Sequence, residues 1–323
     1  MGTAVVTAPP QSRQKRMKLW RDGDRIAHLV TLMFAASVFL VTVFLVYELW
    51  IHSGPSRAKF GFGFITGKTW DPNTDQFGAL PFIYGTVLTS FLALLISVPL
   101  GVGAAIFLSE LAPPKLSNAC TFLVELLAAV PSVILGLLAI FTLVPIMRQY
   151  VEPFLKRALG FLPLFQGPAY GVGYLTAGLI LAIMTFPFII SISREALLAV
   201  PREQREAALA LGATKWESTW QVVVPFARLG ILGSIFLALA RALGETMAVT
   251  MVIGNDTGIH TSLLSPGYTI AAMIANNFTE ATGDLFLSSL VELGLVLFAL
   301  TMVLNGAAQL LIIATTGKGS KQP

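Results

Sequence analysis

Six long apolar runs constrain the fold of this 323-residue chain more than any other feature. A helix needs about 20 predominantly apolar residues to cross the hydrocarbon core of a membrane. Barrel strands are about half as long and alternate in polarity, whereas these runs are continuous. We therefore predict an all-α integral membrane protein with six transmembrane helices. The runs cover residues 26–51, 80–108, 119–145, 173–199, 229–253 and 286–314.

The composition supports a membrane protein and argues against a metal site. Only 12% of the residues are charged and 55% are hydrophobic, whereas soluble domains carry about 25% charged residues. The single cysteine, Cys120, leaves no internal disulfide and no multi-cysteine metal site. The three histidines are scattered along the sequence. We therefore predict no metal site and no cofactor in this chain.

The placement of basic residues predicts the orientation of the chain in the membrane. Lysine and arginine cluster in residues 13–25, 194–228 and 318–321, and residues 254–285 contain neither. Cytoplasmic loops are enriched in lysine and arginine. With an even number of spans, both termini and the 194–228 segment are therefore predicted to be cytoplasmic. Three basic residues disagree with this assignment and fall on the outside: Arg148, Lys156 and Arg157.

A charged segment between the fourth and fifth runs, residues 201–218, is predicted to form an amphipathic helix. Glu206 lies in its early turns, where the helix dipole favours an anion. Ala207 and Ala208 have small side chains, so that the backbone of another protein segment can approach the helix closely. Gly212 can adopt the left-handed conformation that ends a helix.

A second short helix is predicted to follow Gly212. Thr214 and Glu217 have the spacing of a capping box. Trp216 and Trp220 lie four residues apart, which places both rings on one face at the membrane interface. The segment could dock on a partner protein, or it could be an interfacial helix without a partner.

Two charged residues fall inside the fifth apolar run. Arg241 lies near the middle of the run, and Glu245 follows four residues later on the same helical face. A charge at the bilayer centre costs about 3 kcal/mol even on a lenient insertion scale. The guanidinium group is a planar fork that matches oxyanions such as phosphate. The two residues therefore indicate either a substrate pathway or a buried structural ion pair.

Other polar residues fall within or beside the runs. Ser132 follows a proline and Thr185 lies two residues before one, so both are placed at helix distortions. Their hydroxyls could contact a substrate or could form hydrogen bonds between helices. Glu125 and Glu292 are placed within spans, as partners for Arg241 or as hydrogen-bonding residues in the packing.

Three motifs resemble known permeases. Residues 206–225 read E-A-A, three residues, Gly, nine residues and V-V-V-P, like the EAA signature of bacterial ABC importer membrane subunits. Residues 125–133 and 240–255 resemble two spans of the PstC family of phosphate-importer permeases. The resemblance covers about residues 80–315 and implies a type I importer fold in a bacterial inner (plasma) membrane. It also implies an ABC permease core at 80–315. We predict that a basic cytoplasmic arm (1–25) and the first helix with an external loop (26–79) precede this core. A cytoplasmic tail (316–323) is predicted to follow it.

The resemblance further implies partners and residue roles. The partners would be a PstA-like sister permease, two copies of a PstB-like ATPase and a PstS-like external phosphate-binding protein. ATP and Mg would bind to the ATPase, because this chain lacks the G-x-x-x-x-G-K-[ST] phosphate loop. The resemblance places Arg241 and Glu245 in the substrate pathway, to which we add the hydroxyl residues Ser132, Thr185 and Thr246 as candidates. The segment that couples to the ATPase would contain Glu206, Ala207, Ala208 and Gly212.

Other functions remain open at this point. The same type of permease could carry another oxyanion, such as sulfate, molybdate or a phosphonate, since a guanidinium group alone does not distinguish these ions. The chain could also be a membrane-embedded enzyme that uses Glu245 or Glu125 as an acid or base. A passive channel or scaffold is the third possibility.

Overall fold

A computed structural model describes the backbone of residues 11–316 and the side chains of residues 25–310. The beginning of the predicted basic arm and the tail after Thr316 lie outside the described residues. The described part contains six helices that are long and apolar enough to cross a membrane, which confirms the predicted number of spans. These candidate spans are Arg25–His52, Leu80–Leu111, Ser132–Leu159, Tyr174–Leu198, Lys215–Gly244 and Asp284–Leu310.

The chain forms two compact units, residues 1–52 and 53–323. The first unit contains one long helix, α1 (Gln11–His52), and most apolar side chains among residues 26–51 of this helix are exposed. The second unit contains all the other elements. Its helices and strands are α2 (Gly54–Phe60), α3 (Gly63–Thr66), β1 (Trp70–Asp71), β2 (Gln76–Phe77), α4 (Leu80–Ile106), α5 (Pro114–Ala128), α6 (Ser132–Leu138), α7 (Val144–Ile146), α8 (Glu152–Leu159), α9 (Tyr174–Leu198), α10 (Arg202–Ala210), α11 (Lys215–Ser218), α12 (Val224–Gly244), α13 (Met247–Val252), α14 (Ile270–Asn277) and α15 (Asp284–Thr316).

Helix α9 lies at the centre of the second unit and packs against α4 and α12. It is the most buried of the six candidate spans. Gly178 lets α4 approach closely, because a Cβ atom at this position would lie 2.7 Å from Cβ of Leu92. The core around α9 also includes residues of α6 and α13, among them Leu135, Ala248 and Val252.

The loop after the first helix folds into a small aromatic cluster. Strands β1 and β2 pair in antiparallel register, with Trp70 opposite Phe77. The Trp70 ring packs edge-on against Phe82 of α4, with 5.0 Å between ring centroids. Phe77 stacks on Phe286 of α15 at 5.5 Å. These contacts attach the loop to the ends of two spanning helices.

The third predicted run, residues 119–145, is not one helix, and its predicted bounds are wrong. Helix α5 ends at Ala128, and α6 begins at Ser132. Pro131 has no N–H group to donate and its ring disfavours a helical conformation at the preceding residue, so the helix is interrupted here. The candidate span runs instead over Ser132–Leu159 and includes the three basic residues that had been assigned to an outer loop. Glu125 therefore lies on α5, outside the candidate spans, and its side chain is exposed in the described chain.

The fifth predicted run, residues 229–253, also has the wrong bounds. The helix begins earlier, at Lys215, and continues through a π-helical turn at Thr219–Val223 into α12. The wider turn accommodates Pro225, whose missing N–H would otherwise break the hydrogen-bond ladder. Helix α12 then ends at Gly244, and the short helix α13 begins at Met247.

Candidate functional site

The interruption between α12 and α13 defines the candidate substrate site. Glu245 leaves the helical conformation, with φ −69° and ψ 129°. Thr246 Oγ1 donates a hydrogen bond to the carbonyl of Gly244 at 3.2 Å. Interrupted helices expose backbone groups within a membrane and are tolerated where they are buried in protein or line a cavity. The predicted substrate residues Glu245 and Thr246 therefore form the non-helical link itself.

Arg241 lies in the last turn of α12 and not in the middle of a continuous helix, as the sequence had indicated. A cation is favourable here, because the last carbonyls of a helix carry partial negative charge. Its guanidinium carbon lies 4.4 Å from the centroid of the Phe188 ring on α9. Arg241 Nε is buried and has no hydrogen-bond partner among the described residues.

Arg241 and Glu245 do not form an ion pair in the part of the chain that the structure describes. The sequence had placed both on one helical face, four residues apart. Because α12 ends between them, that helical relation does not exist. The carboxylate of Glu245 instead accepts a long hydrogen bond, 3.5 Å, from the N–H of Ala248 at the start of α13. The geometry therefore provides a half-buried cation that is not neutralised by the nearest acid in the sequence.

The second helix interruption, before Ser132, is close to the first in the fold. Helices α6 and α13 pack together, and Gly136 makes this possible, because a Cβ atom there would lie 3.0 Å from Cα of Ala248. Ser132 lies one turn before Gly136, on the same face of α6. Its side chain is half-buried. The second halves of two interrupted helices thus form one packed pair.

Thr185 is the predicted pathway residue that the geometry supports least. Its side chain is fully buried, and its hydroxyl donates within α9 to the carbonyl of Leu181 at 2.9 Å. Pro187 interrupts the hydrogen-bond ladder of the same helix. Thr185 therefore packs inside the core, and its hydroxyl is used by its own helix.

Glu292 belongs to a different polar cluster from Arg241. It lies in α15 and is 5% exposed. It interacts with Ser56 and with the positive charge of Arg57, both on α2. Ser289 of α15 also donates to Ser56 Oγ at 3.0 Å. The prediction that Glu292 is a hydrogen-bonding residue in the packing agrees with this cluster.

The loop after α13 folds back on itself near the interruption. Gly254 pairs with Gly267, and Asn255 adopts a positive φ of 55°. Asp256 accepts hydrogen bonds from the N–H of Gly258 at 2.8 Å and from His260 Nε2 at 3.0 Å. Burial raises the pKa of Asp256, but these hydrogen bonds outweigh it, so that the pKa lies below its ordinary value. The loop therefore carries an ionised carboxylate at neutral pH.

The second candidate surface is the predicted coupling segment, where the structure confirms both helix ends. Gly212 has φ +87°, and the N–H groups of Gly212 and Ala213 donate to the carbonyls of Leu209 and Ala208. This is the pattern of a Schellman motif. Thr214 and Glu217 form a complete capping box at the start of α11. Helix α10 is therefore a defined element that ends at a left-handed glycine.

Helix α10 has no buried residue. Glu206 and Ala207 are exposed, Ala208 is half-buried, and Leu211 is 90% exposed. A helix that packs so little within its own chain needs another source of stability. The exposed Leu211, together with the exposed Ala207 and Ala210, is typical of a surface that another protein covers.

Arg205 holds α10 in place, and apart from its charge no sequence signal indicates this role. Its guanidinium donates to both carboxylate oxygens of Glu110, at 3.2 and 2.9 Å. It also donates to the carbonyls of Leu197 and Val200 at the end of α9. Glu110 lies in the last turn of the span that begins at Leu80. One side chain thus connects α10 to the ends of two spanning helices.

Comparisons with known proteins agree with these features. Residues 97–314 match the family described as "Binding-protein-dependent transport system inner membrane component". The chain is 46% identical to the phosphate transport system permease protein PstC of Mesorhizobium japonicum, over 96% of this chain and 97% of that protein. It is 45% identical to the PstC protein of Pasteurella multocida, over 95% of this chain and 99% of that protein. A probable PstC protein of Methanocaldococcus jannaschii is 35% identical over 89% of this chain and 93% of its own length.

The fold resembles a solved transporter as well. A chain of a bacterial alginate ABC transporter, crystallised with an alginate pentasaccharide-bound periplasmic protein, aligns with a TM-score of 0.57. The alignment covers 90% of this chain and 96% of that chain, at 16% identity. At this identity the likeness concerns the fold alone, and it confirms the predicted importer permease architecture.

Proposed function

This chain belongs, with the PstC permease proteins, to the family of inner membrane components of binding-protein-dependent transport systems, and we propose that it forms part of the path of inorganic phosphate in an ATP-driven importer. It is a membrane subunit of a transporter and not an enzyme. The observation that carries the phosphate assignment is Arg241, a half-buried guanidinium at a helix interruption that pairs with no carboxylate among the described residues.

The chemistry of phosphate fits this arrangement. Near pH 7 the ion carries between one and two negative charges, so it cannot cross hydrocarbon unaided. A guanidinium fork offers several N–H donors to its oxygens. Glu245, in the non-helical link, supplies an opposing charge that keeps the site from holding the ion too tightly, since a transported ion must bind and also leave. Ser132 and Thr246 lie at the two helix interruptions and are our candidates for further hydroxyl contacts, whereas the hydroxyl of Thr185 bonds within α9.

The partners follow from the same proposal. A PstA-like sister permease would complete the path, and a PstS-like protein would deliver phosphate from outside. Two PstB-like ATPases would hydrolyse ATP with Mg. One of them would dock on α10 through Glu206, Ala207 and Ala208, with Gly212 fixing the end of the helix. The proposed location is the bacterial inner membrane, with both termini in the cytoplasm.

Reconstitution of the complete complex in liposomes tests the proposal. Uptake of phosphate, sulfate, molybdate and a phosphonate would be measured with internal ATP and the external binding protein. We expect phosphate uptake to be strongly preferred and to require ATP. Preferred uptake of another oxyanion would assign the same machine to that ion, and anion flux without ATP would indicate a channel.

A further inference from the structure

We propose that Phe188 positions the guanidinium of Arg241 while no anion is bound, and so acts as a positioning residue in the transport path. This inference rests on the proposed function, because it assigns Arg241 to the path of the anion. It is carried by a separate observation, the 4.4 Å contact between the guanidinium carbon and the Phe188 ring centroid. Both residues are half-buried, so the contact is partly shielded from water.

An aromatic ring differs from a carboxylate in how it stabilises a cation. The ring face attracts the guanidinium through its quadrupole and accepts no conventional N–H hydrogen bond. The donors of the guanidinium therefore remain available to an oxyanion. In agreement with this, Arg241 Nε is buried without a partner among the described residues, and Arg241 is not paired with Glu245. An arriving anion can therefore bind without first displacing a carboxylate from the guanidinium.

The position of the Phe188 ring is fixed by the packing of α9. A Cβ atom at Gly101 of α4 would lie 2.7 Å from the side chain of Ile189, so these helices touch closely beside the ring. On the other side, the buried hydroxyls of Ser193 and Ser234 share a 2.8 Å hydrogen bond that joins α9 to α12. Phe188 on α9 and Arg241 on α12 thus lie on two helices that this hydrogen bond joins, and not on a loop.

Removal of the ring should favour the alternative partner of Arg241. The nearest acid in the sequence is Glu245, across the interruption, and an unshielded guanidinium would pair with it. The path would then contain a neutralised pair in place of an available cation. We therefore expect Phe188→Leu to lower the maximal rate of phosphate uptake by about tenfold, a loss between those of an exposed and a desolvated cation–π contact. Glu245→Gln in the Phe188→Leu background should recover part of the loss.

A fluorination series at position 188 separates this role from a structural one. Successive fluorines weaken the ring quadrupole with little change in shape. In the reconstituted complex, uptake should fall stepwise from phenylalanine to monofluoro- and trifluorophenylalanine, and Phe188→Tyr should keep most of it. The same series at Phe186, the neighbouring half-buried aromatic residue, is the matched control and should have no effect.

The outcomes distinguish this proposal from the proposed function. If the wild-type complex prefers another oxyanion, the phosphate assignment fails, and the series is then measured with that ion. If the wild-type complex imports phosphate but the trifluoro variant works at the wild-type rate, the Phe188 proposal is overturned, whether or not Phe188→Leu is impaired. A stepwise fall at position 188 together with unchanged rates at position 186 supports it.

Discussion

Arg241 lies in different surroundings from those that the sequence predicts. Its charge inside an apolar run identified it as a functional candidate, and the structure places it at a helix interruption. The expected partner, Glu245, is not paired with it in the described residues, and an aromatic ring contacts it instead. Periodicity over residues 229–253 could not show this, because Gly244 and Glu245 leave the helix without a proline to mark the point.

The first prediction concerns the charge of Arg241. Arg241→Gln should reduce phosphate uptake to less than about a tenth, because the charge-assisted hydrogen bonds to the ion are lost. Arg241→Lys should retain part of the activity, since lysine supplies a point charge and not a fork. Uptake and co-purification of the ATPase would be measured together. Arg228→Gln, an exposed arginine on the same helix, is the control and should transport normally.

The paired substitution distinguishes a substrate role from a structural one. If Arg241 and Glu245 served only as a buried ion pair, the single variants would assemble poorly and Arg241→Gln with Glu245→Gln would restore assembly and uptake. The structure gives no such pair, so we expect the single variants to assemble and the double variant to remain inactive. Wild-type uptake by the double variant would refute the role of Arg241 in the anion path.

At the scale of elements, the coupling segment was predictable because its signals are local. A capping box and a C-terminal glycine depend on neighbours within one turn, and both ends of the segment formed as expected. The Arg205–Glu110 pair was not predictable, since its partners are 95 residues apart and meet only through packing. The bounds of the third run were wrong for a different reason. Its hydrophobicity is continuous through Pro131, and the proline predicted a distortion without showing that α5 ends there.

The second prediction concerns the end of α10. Gly212→Val should destabilise the α10–α11 link by about 2 kcal/mol, because a β-branched residue is strained at φ +87°. A Cβ atom at this position meets nothing within 4 Å, so the effect comes from the backbone and not from a clash. Asn tolerates this conformation, so Gly212→Asn is the matched control.

The measurements are ATPase co-purification and phosphate uptake. Both should fall in the valine variant and remain near normal in the asparagine variant, while the yield of folded permease in detergent stays unchanged. A valine variant that binds the ATPase and transports like the wild type would show that the end of α10 plays no part in coupling.

The third prediction concerns the attachment of α10 to the spans. Arg205→Gln removes the charged fork to Glu110 and should weaken the attachment by about 2 kcal/mol, the range for hydrogen bonds to charged groups. The proposed docking surface, Glu206 with Ala207 and Ala208, stays unchanged. We therefore expect the ATPase to co-purify but its stimulation by the loaded binding protein to be lost.

Arg202→Gln provides the control for that experiment. Arg202 is an exposed arginine on the same helix and forms no salt bridge with Glu110 among the described residues. The change removes the same charge and should leave stimulation intact. If both variants behave alike, the effect of Arg205 would come from net charge and not from its attachment to the two spans.

At the scale of the whole molecule, the number of spans and the family were predictable, and the detailed path was not. The length and apolar composition of a segment show whether it can cross a membrane, and this suffices to count six candidate spans. They do not report where helices break or which residues meet across them. Thr185 shows the difference, because its position beside a proline suggested a substrate contact, whereas its hydroxyl bonds within its own helix.

The last prediction concerns orientation, which depends on the charges of the whole chain. Residues 254–285 lack lysine and arginine, and α10 lies in a segment rich in both, so residues 254–285 and α10 should face opposite sides of the membrane.

Cysteine labelling in intact cells tests this orientation. Single cysteines would be introduced at exposed positions in a Cys120→Ser background, Thr279→Cys within residues 254–285 and Leu211→Cys after α10. A membrane-impermeant thiol reagent added to intact cells should label Thr279→Cys, and should label Leu211→Cys only after permeabilisation. The Cys120→Ser parent controls for background labelling. Labelling of Leu211→Cys in intact cells would place α10 outside, where no ATPase could reach it, and would refute the coupling role as well as the orientation.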